Sequence, residues 1–162
     1  FDNNGEIAKK GKTNDLILNQ ALDDFDNRPN QNALSFDTKD FSLGFVRGLN
    51  LEDGAATLTD FTGRIIESEL FSFLSETRDK LWKILVCGGG RKNTTLIEKI
   101  KSRTPKNLVI QPIDDYHIDG DYVESQAFAY LAIRSYLGLP ISFPKTTGCK
   151  EPTTGRVQVK NY

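Results

Sequence analysis

The stretch Lys83–Cys87 (KILVC) is a short apolar run halted by three consecutive glycines, Gly88, Gly89 and Gly90. A run of that length ended by glycine reads as a buried strand. A helix is expected next: Asn93 can cap it, Leu96, Ile97 and Ile100 supply its inner face, and Pro105 stops it. Asn107–Ile110 (NLVI) then makes a second strand, so residues 83–111 read as a βαβ unit whose strands should be parallel. Two strands joined through a helix demand an α/β architecture.

The flanking segments supply more helix. Asn14–Phe25 carries Leu16, Ile17, Ala21, Leu22 and Phe25 at helical spacing, with Thr13 as the expected cap. Residues 26–40, with Pro29 among charges and amides, read as a loop. From Leu51 a long helix is expected, with Leu51, Ala55, Leu58, Phe61 or Thr62, Ile65 and Ile66 on one face. Another should start near Asp121 and run through Val123, Ala127, Leu131 and Leu137 to a terminating Gly138. The tail from Pro140 reads as turns plus one short strand around Arg156–Lys160. The 162 residues allow one domain or two small ones, with about 8,100 Å² exposed once folded. The expected division is an N-terminal helix and loop excursion over residues 1–47 leading into a single α/β lobe over residues 48–162.

Charge balance limits the partners. Lys and Arg number 21 against 22 Asp and Glu, a net charge of -1, so no bulk field favours nucleic acid or an anionic membrane. Residues 91–106 do hold six basic groups against one acid, Glu98. Their apolar neighbours fall at helical spacing and no aromatic residues interleave, so a solvated outer face is the better reading than a nucleic-acid surface. Cys87 and Cys149 form no CxxC pair and suggest neither a disulfide framework nor a zinc ribbon. No apolar run approaches a membrane span and residues 1–20 lack signal-peptide features, so the expected location is the cytoplasm. The chain begins at Phe1, as a processed chain or a piece of a longer one would.

Strand, then CGGG, then an Asn-capped helix is a pattern that lets a ligand reach backbone N–H groups at a positive helix end. Phosphate or nucleotide chemistry and a plain tight turn both fit it. Residues 114–126 (DDYHIDGDYVESQ) imitate a calcium loop through Asp115, His117, Asp119 and Gly120. His117 is a poor calcium ligand and Gln126 stands where a bidentate glutamate is needed, so no metal site is expected. Asp121-Tyr122-Val123-Glu124 has the form of a capping box, which alone explains Glu124, although its carboxylate could also accept hydrogen bonds from sugar hydroxyls. The repeated Thr-Thr-Gly at 146–148 and 153–155 fits turns or a polar ligand equally well.

Taken in order, FDNNGEIAKKGK at the start, SFDTKDF at 35–41, GLNLEDGAATLTDFTGRI at 48–65, VCGGGRKN at 86–93 and DGDYVESQAFAYLAIRSYLGLPISFPKTTGCKEPTTG at 119–155 resemble the anhydro-N-acetylmuramic acid kinases of bacterial peptidoglycan recycling. The resemblance is to the C-terminal half of that family. It implies a lobe of the actin-like ATPase, sugar kinase and Hsp70-type fold, closing over ATP and an anhydrosugar. The implied reaction adds water across the 1,6-anhydro bond and transfers the ATP γ-phosphoryl group to O6, with Mg²⁺ as the implied metal. The family's GTSxDG phosphate loop and its FDTGPGN segment, with the aspartate that activates water, belong to the upstream half and do not occur in these residues. No catalytic residue and no metal ligand is therefore expected here, and the segment alone should be inactive. Gly88, Gly89, Gly90 and Asn93 match the family's GGGxxN, implied to lie against adenosine. Glu124 matches the acid of its E-x-x-AF-A-x-LA helix, implied to contact the sugar. The sequence departs from the family at Asn32-Ala33-Leu34 and at Arg156, which replaces a glycine. The upstream kinase lobe is the implied partner, and a homodimer is left open. The alternatives are a stand-alone nucleotide-binding module and a structural half of a split enzyme.

Overall fold

The computed structural model of the chain describes residues 2–28, 40–74 and 80–155. In order these form α1 (Glu6–Lys10), α2 (Asp15–Asp26), α3 (Leu51–Leu74), β1 (Trp82–Val86), α4 (Thr94–Arg103), β2 (Leu108–Pro112), α5 (Val123–Tyr136), β3 (Pro140–Ser142), α6 (Pro144–Thr147) and β4 (Thr153–Thr154). The expected βαβ unit is present: β1 and β2 run parallel, from Trp82 opposite Leu108 to Val86 opposite Pro112. Asn93 caps α4 as expected, its Oδ1 accepting from the Leu96 N–H at 3.0 Å. The architecture is thus mixed α/β with a small parallel sheet.

Among the described residues only one face of that sheet is covered. Ile100 of α4 and Leu74 of α3 pack with Leu108 and Ile110, joined by Ile66, Leu70, Trp82, Ile84, Val86 and Leu96. Leu85 and Val109, on the other face, stay exposed. The reading of β1 as a fully buried strand is corrected accordingly: its residues alternate between half-buried and exposed. A second cluster joins α2 to the middle of α3, where Leu18, Ala21 and Phe61 are buried and Leu22, Phe25, Phe41, Phe45 and Ile65 surround them.

The face of α3 also departs from expectation. Phe61, Ile65 and Ile66 pack inward as expected, but Leu51 is exposed, and Gly54, Ala56, Thr57, Asp60 and Gly63 are buried as well. Small and hydroxyl side chains let neighbouring elements approach closely, and Asp60 draws in their polar groups. Its Oδ2 accepts from Thr13 Oγ1 and Lys99 Nζ, both at 2.9 Å. Arg103 Nη2 lies 2.6 Å from Oδ1, as an ion pair outside hydrogen-bond alignment. Thr13 therefore serves Asp60, and the cap of α2 is Asn14, whose Oδ1 accepts from the Ile17 N–H at 3.1 Å. The expectation of a solvated outer face for the basic run of residues 91–106 fails at Lys99 and Arg103, which turn inward to this carboxylate, and holds at Lys92, Lys101 and Lys106, which are exposed.

Beyond β2 the structure opens out. α5 has no buried residue, with Phe128 64% exposed and Tyr136 80% exposed, contrary to the expected amphipathic burial. It ends as expected at Gly138 (φ +68°), where the Gly138 and Leu139 N–H groups bond the carbonyls of Ser135 and Arg134. β3 and β4 form an antiparallel pair, tied to α5 by Arg134 Nε donating to the Pro140 carbonyl at 2.8 Å. The Thr146 and Thr147 hydroxyls bond the Phe143 carbonyl, so they serve the turn. Most of the 26–40 loop, with Asn32, Ala33 and Leu34, lies outside the described residues, as do Arg156 and the strand expected after it. Among the described residues no helix is long and apolar enough to cross a membrane.

Burial alone would raise the pKa of Asp60, but hydrogen bonds from Lys99 and Thr13 and the Arg103 contact outweigh it and hold the carboxyl below its ordinary range. A carboxyl depressed in the folded state stabilises fully above its unfolded pKa of about 3.9 and loses that contribution as pH falls through the folded value. Asp60→Ala should cost roughly 3 kcal/mol in urea unfolding at neutral pH, because it strands two cations. The deficit should shrink as pH falls below about 4.

Candidate functional site at the ends of the parallel strands

The chain leaves the carboxyl end of β1 through Cys87 into Gly88, whose φ of 75° and ψ of 177° belong to a region essentially restricted to glycine. Gly89–Lys92 then makes a 3₁₀ turn before Asn93 starts α4. A Cβ built on Gly88, Gly89 or Gly90 would meet nothing within 4 Å, so the turn is open on its outer side. Crevices beyond the carboxyl ends of parallel strands are where open α/β sheets take ligands. Asn93 Oδ1 is committed to the cap, while its Nδ2 donates to nothing among the described residues.

The end of β2 lies beside this turn. Residues Ile113–Tyr116 form a 3₁₀ turn, His117 takes a left-handed conformation (φ 62°), and the Gly88 N–H donates to the Gly120 carbonyl at 2.9 Å. Between the two segments sits Arg91, its side chain 7% exposed. Its Nε and Nη2 grip the two oxygens of Asp114 at 2.7 and 2.9 Å. Its Nη1 reaches Asp121 Oδ1 at 2.6 Å and the Gly88 carbonyl at 3.0 Å. Lys92 Nζ adds a 2.5 Å contact to Asp121 Oδ2. The hydrogen bonds from Arg91 hold the Asp114 pKa down to about 2, and those from Arg91 and Lys92 also lower that of Asp121.

These contacts correct two readings. The capping box does not form: the cap position of α5 is Tyr122, which makes no side-chain cap bond, because Arg91 and Lys92 claim the carboxylate of Asp121. Glu124, in the first turn of α5, is exposed and has no side-chain hydrogen bond among the described residues. The acidic stretch that imitates a calcium loop is organised around a guanidinium instead, using Asp114 and Asp121. Arg91 is thus the residue that sequence reasoning missed. Its signal was Gly120 among aspartates, since a Cβ there would collide with the Arg91 side chain. The structure tethers the glycine turn to the loop entering α5, and so brings Gly88 and the approach to Glu124 under one set of bonds.

Residues 1–158 match the profile of the family described as anhydro-N-acetylmuramic acid kinase. A protein of that name from Pelagibacter ubique is 56% identical over 162 residues, covering 100% of this chain and 43% of its own length. Its namesakes from Zymomonas mobilis and Caulobacter vibrioides are 42% and 38% identical, each aligned over 96% of this chain and 40% of their own length. The chain therefore spans about two-fifths of the length of these relatives.

Backbone strain distinguishes the glycines. Gly88→Ala should destabilise the fold by roughly 1–3 kcal/mol, as its conformation excludes a side chain. Gly89→Ala, on an exposed turn with open space, should stay within about 0.5 kcal/mol of the parent in denaturant unfolding.

Proposed function

Because the chain belongs to the anhydro-N-acetylmuramic acid kinase family, we propose that it forms one lobe of a sugar kinase of the actin-like ATPase type, acting in amino-sugar salvage during peptidoglycan recycling. In the proposed reaction, water attacks the anomeric carbon of the 1,6-anhydrosugar and the bond from that carbon to O6 breaks. O6 takes the γ-phosphoryl group of ATP, ADP leaves, and the water's proton passes to a base. Phosphoryl transfer rests on positioning and charge stabilisation. The phosphate loop and the water-activating aspartate are assigned to the remainder of the enzyme, so this segment alone has no turnover. Its own work is to bind and orient.

The observation that carries this reading is the open glycine turn at the end of β1, where backbone comes to the surface with no side chain over it. Gly88, Gly89 and Gly90 form the wall against which adenosine lies, and Asn93, which starts the helix after them, belongs to the same wall. Glu124 offers a side-chain acceptor to the sugar hydroxyls, left free for that role because the capping box does not form. Among the described residues, the exposed apolar side chains of α5 and the partly exposed face of the β1–β2 sheet favour a part of a larger enzyme over a stand-alone module. Mg²⁺ does not fit this segment. Among the described residues no three His, Cys, Asp or Glu side chains converge on one point, and the carboxylates of Asp114 and Asp121 are already neutralised by Arg91 and Lys92. No step is assigned to the metal here.

Two substitutions in the full-length enzyme test the assignment. Gly89→Val should weaken ATP binding in calorimetry by about tenfold or more with an unchanged melting temperature, since the valine occupies ligand space. Unchanged affinity would reduce the glycines to a turn. Glu124→Gln should lower the kcat/KM for the anhydrosugar by about tenfold, the worth of one charge-assisted hydrogen bond, while ATP affinity stays near that of the parent. Normal sugar kinetics would remove Glu124 from the site.

A further inference from the structure

Arg91 does more than a surface ion pair requires. Four hydrogen bonds run from one guanidinium to three separate places: Asp114 after β2, Asp121 before α5, and the carbonyl of Gly88 in the glycine turn. Asp119 lies 3.9 Å from Nη2, completing an acidic surround. Gly120 has no side chain where the guanidinium passes, and its carbonyl receives the Gly88 N–H. The loop that leads into α5 thus holds the turn directly through the Gly88 N–H, and Arg91, anchored on the carboxylates of that loop, holds the Gly88 C=O. Lysine could not reproduce this, because a point charge on a flexible stem lacks the planar fork that grips two carboxylates and a carbonyl at once.

We propose that Arg91 is a positioning residue that couples nucleotide binding at the glycine turn to sugar binding at the start of α5. The inference rests on the assignment of those two walls made above. A nucleotide pressing on Gly88–Gly90 fixes the Gly88 carbonyl, and through it the guanidinium. The guanidinium in turn fixes Asp114 and Asp121, three residues before Glu124. Each ligand then meets a wall already ordered by the other, and by linkage the effect is reciprocal. A staple with only a structural role would add stability and leave the two affinities independent.

The test is calorimetry on the full-length enzyme with a non-hydrolysable ATP analogue, titrated with and without saturating anhydrosugar. In the parent enzyme the sugar should tighten the analogue about tenfold, within the usual range of coupling between sites. Arg91→Gln should reduce that factor to about twofold or less, while affinity for the analogue alone changes by less than threefold. Arg91→Lys, which keeps the charge, should lose most of the coupling too. Asp114→Asn should behave likewise, and combining it with Arg91→Gln should cause little further loss. Coupling retained in Arg91→Gln, or in both Arg91→Lys and Asp114→Asn should the glutamine variant not fold, overturns the proposal, as does a parent enzyme that binds both ligands independently. A parent enzyme that binds neither ligand overturns the functional reading itself, and this inference with it.

Discussion

A carboxylate on the buried face of a helix must find cations or lose its charge, and Asp60 finds two. Because Lys99 and Arg103 come from α4 and Thr13 from the entry to α2, satisfying this one group fixes how three helices meet. Desolvation opposes the arrangement and hydrogen bonding wins, as the lowered pKa of Asp60 records. The apolar clusters on either side supply bulk stabilisation without direction, whereas the ion pairs supply register along α3. Once α4 is placed on α3, the strands joined to α4 and the glycine turn preceding it are placed as well.

The βαβ unit was legible because its signals are local: an apolar run, glycines, an asparagine cap and a proline stop follow one another within thirty residues or so. The capped start of α4 and the glycine end of α5 depend only on neighbouring backbone, and both match. The misreadings share a different cause. The face of α3, the cap at Thr13 and the basic run of α4 all turned on Asp60, and a partner distant in sequence leaves no mark on local periodicity. Thr13 looked like a cap because it has the right chemistry one residue too early. Its hydroxyl was needed elsewhere, and Asn14 had the better position.

The site shows the same division. Gly88, Gly89, Gly90 and Asn93 are adjacent in sequence, and the turn they form is the one expected. Glu124 was expected in a capping box because Asp121 stands three residues before it, yet Arg91 takes Asp121 away. The clue lay in Gly120 among aspartates, a pattern equally suited to a metal or a guanidinium, and only the fold decides between those cations. Reading such a loop therefore requires asking which basic residue the topology delivers to it. Here the answer comes from the strand beside β2, just past the glycines.

The two-stranded parallel sheet has a consequence of its own. Parallel strands ordinarily lie between layers that shield both faces, but Leu85 and Val109 remain more than a third exposed, and among the described residues β1 and β2 pair only with each other. Unpaired strand edges are templates for other chains, and an apolar face beside them adds adhesion. Among the described residues the sheet thus leaves an unpaired edge beside a partly exposed apolar face, the two features by which separate chains stack edge to edge.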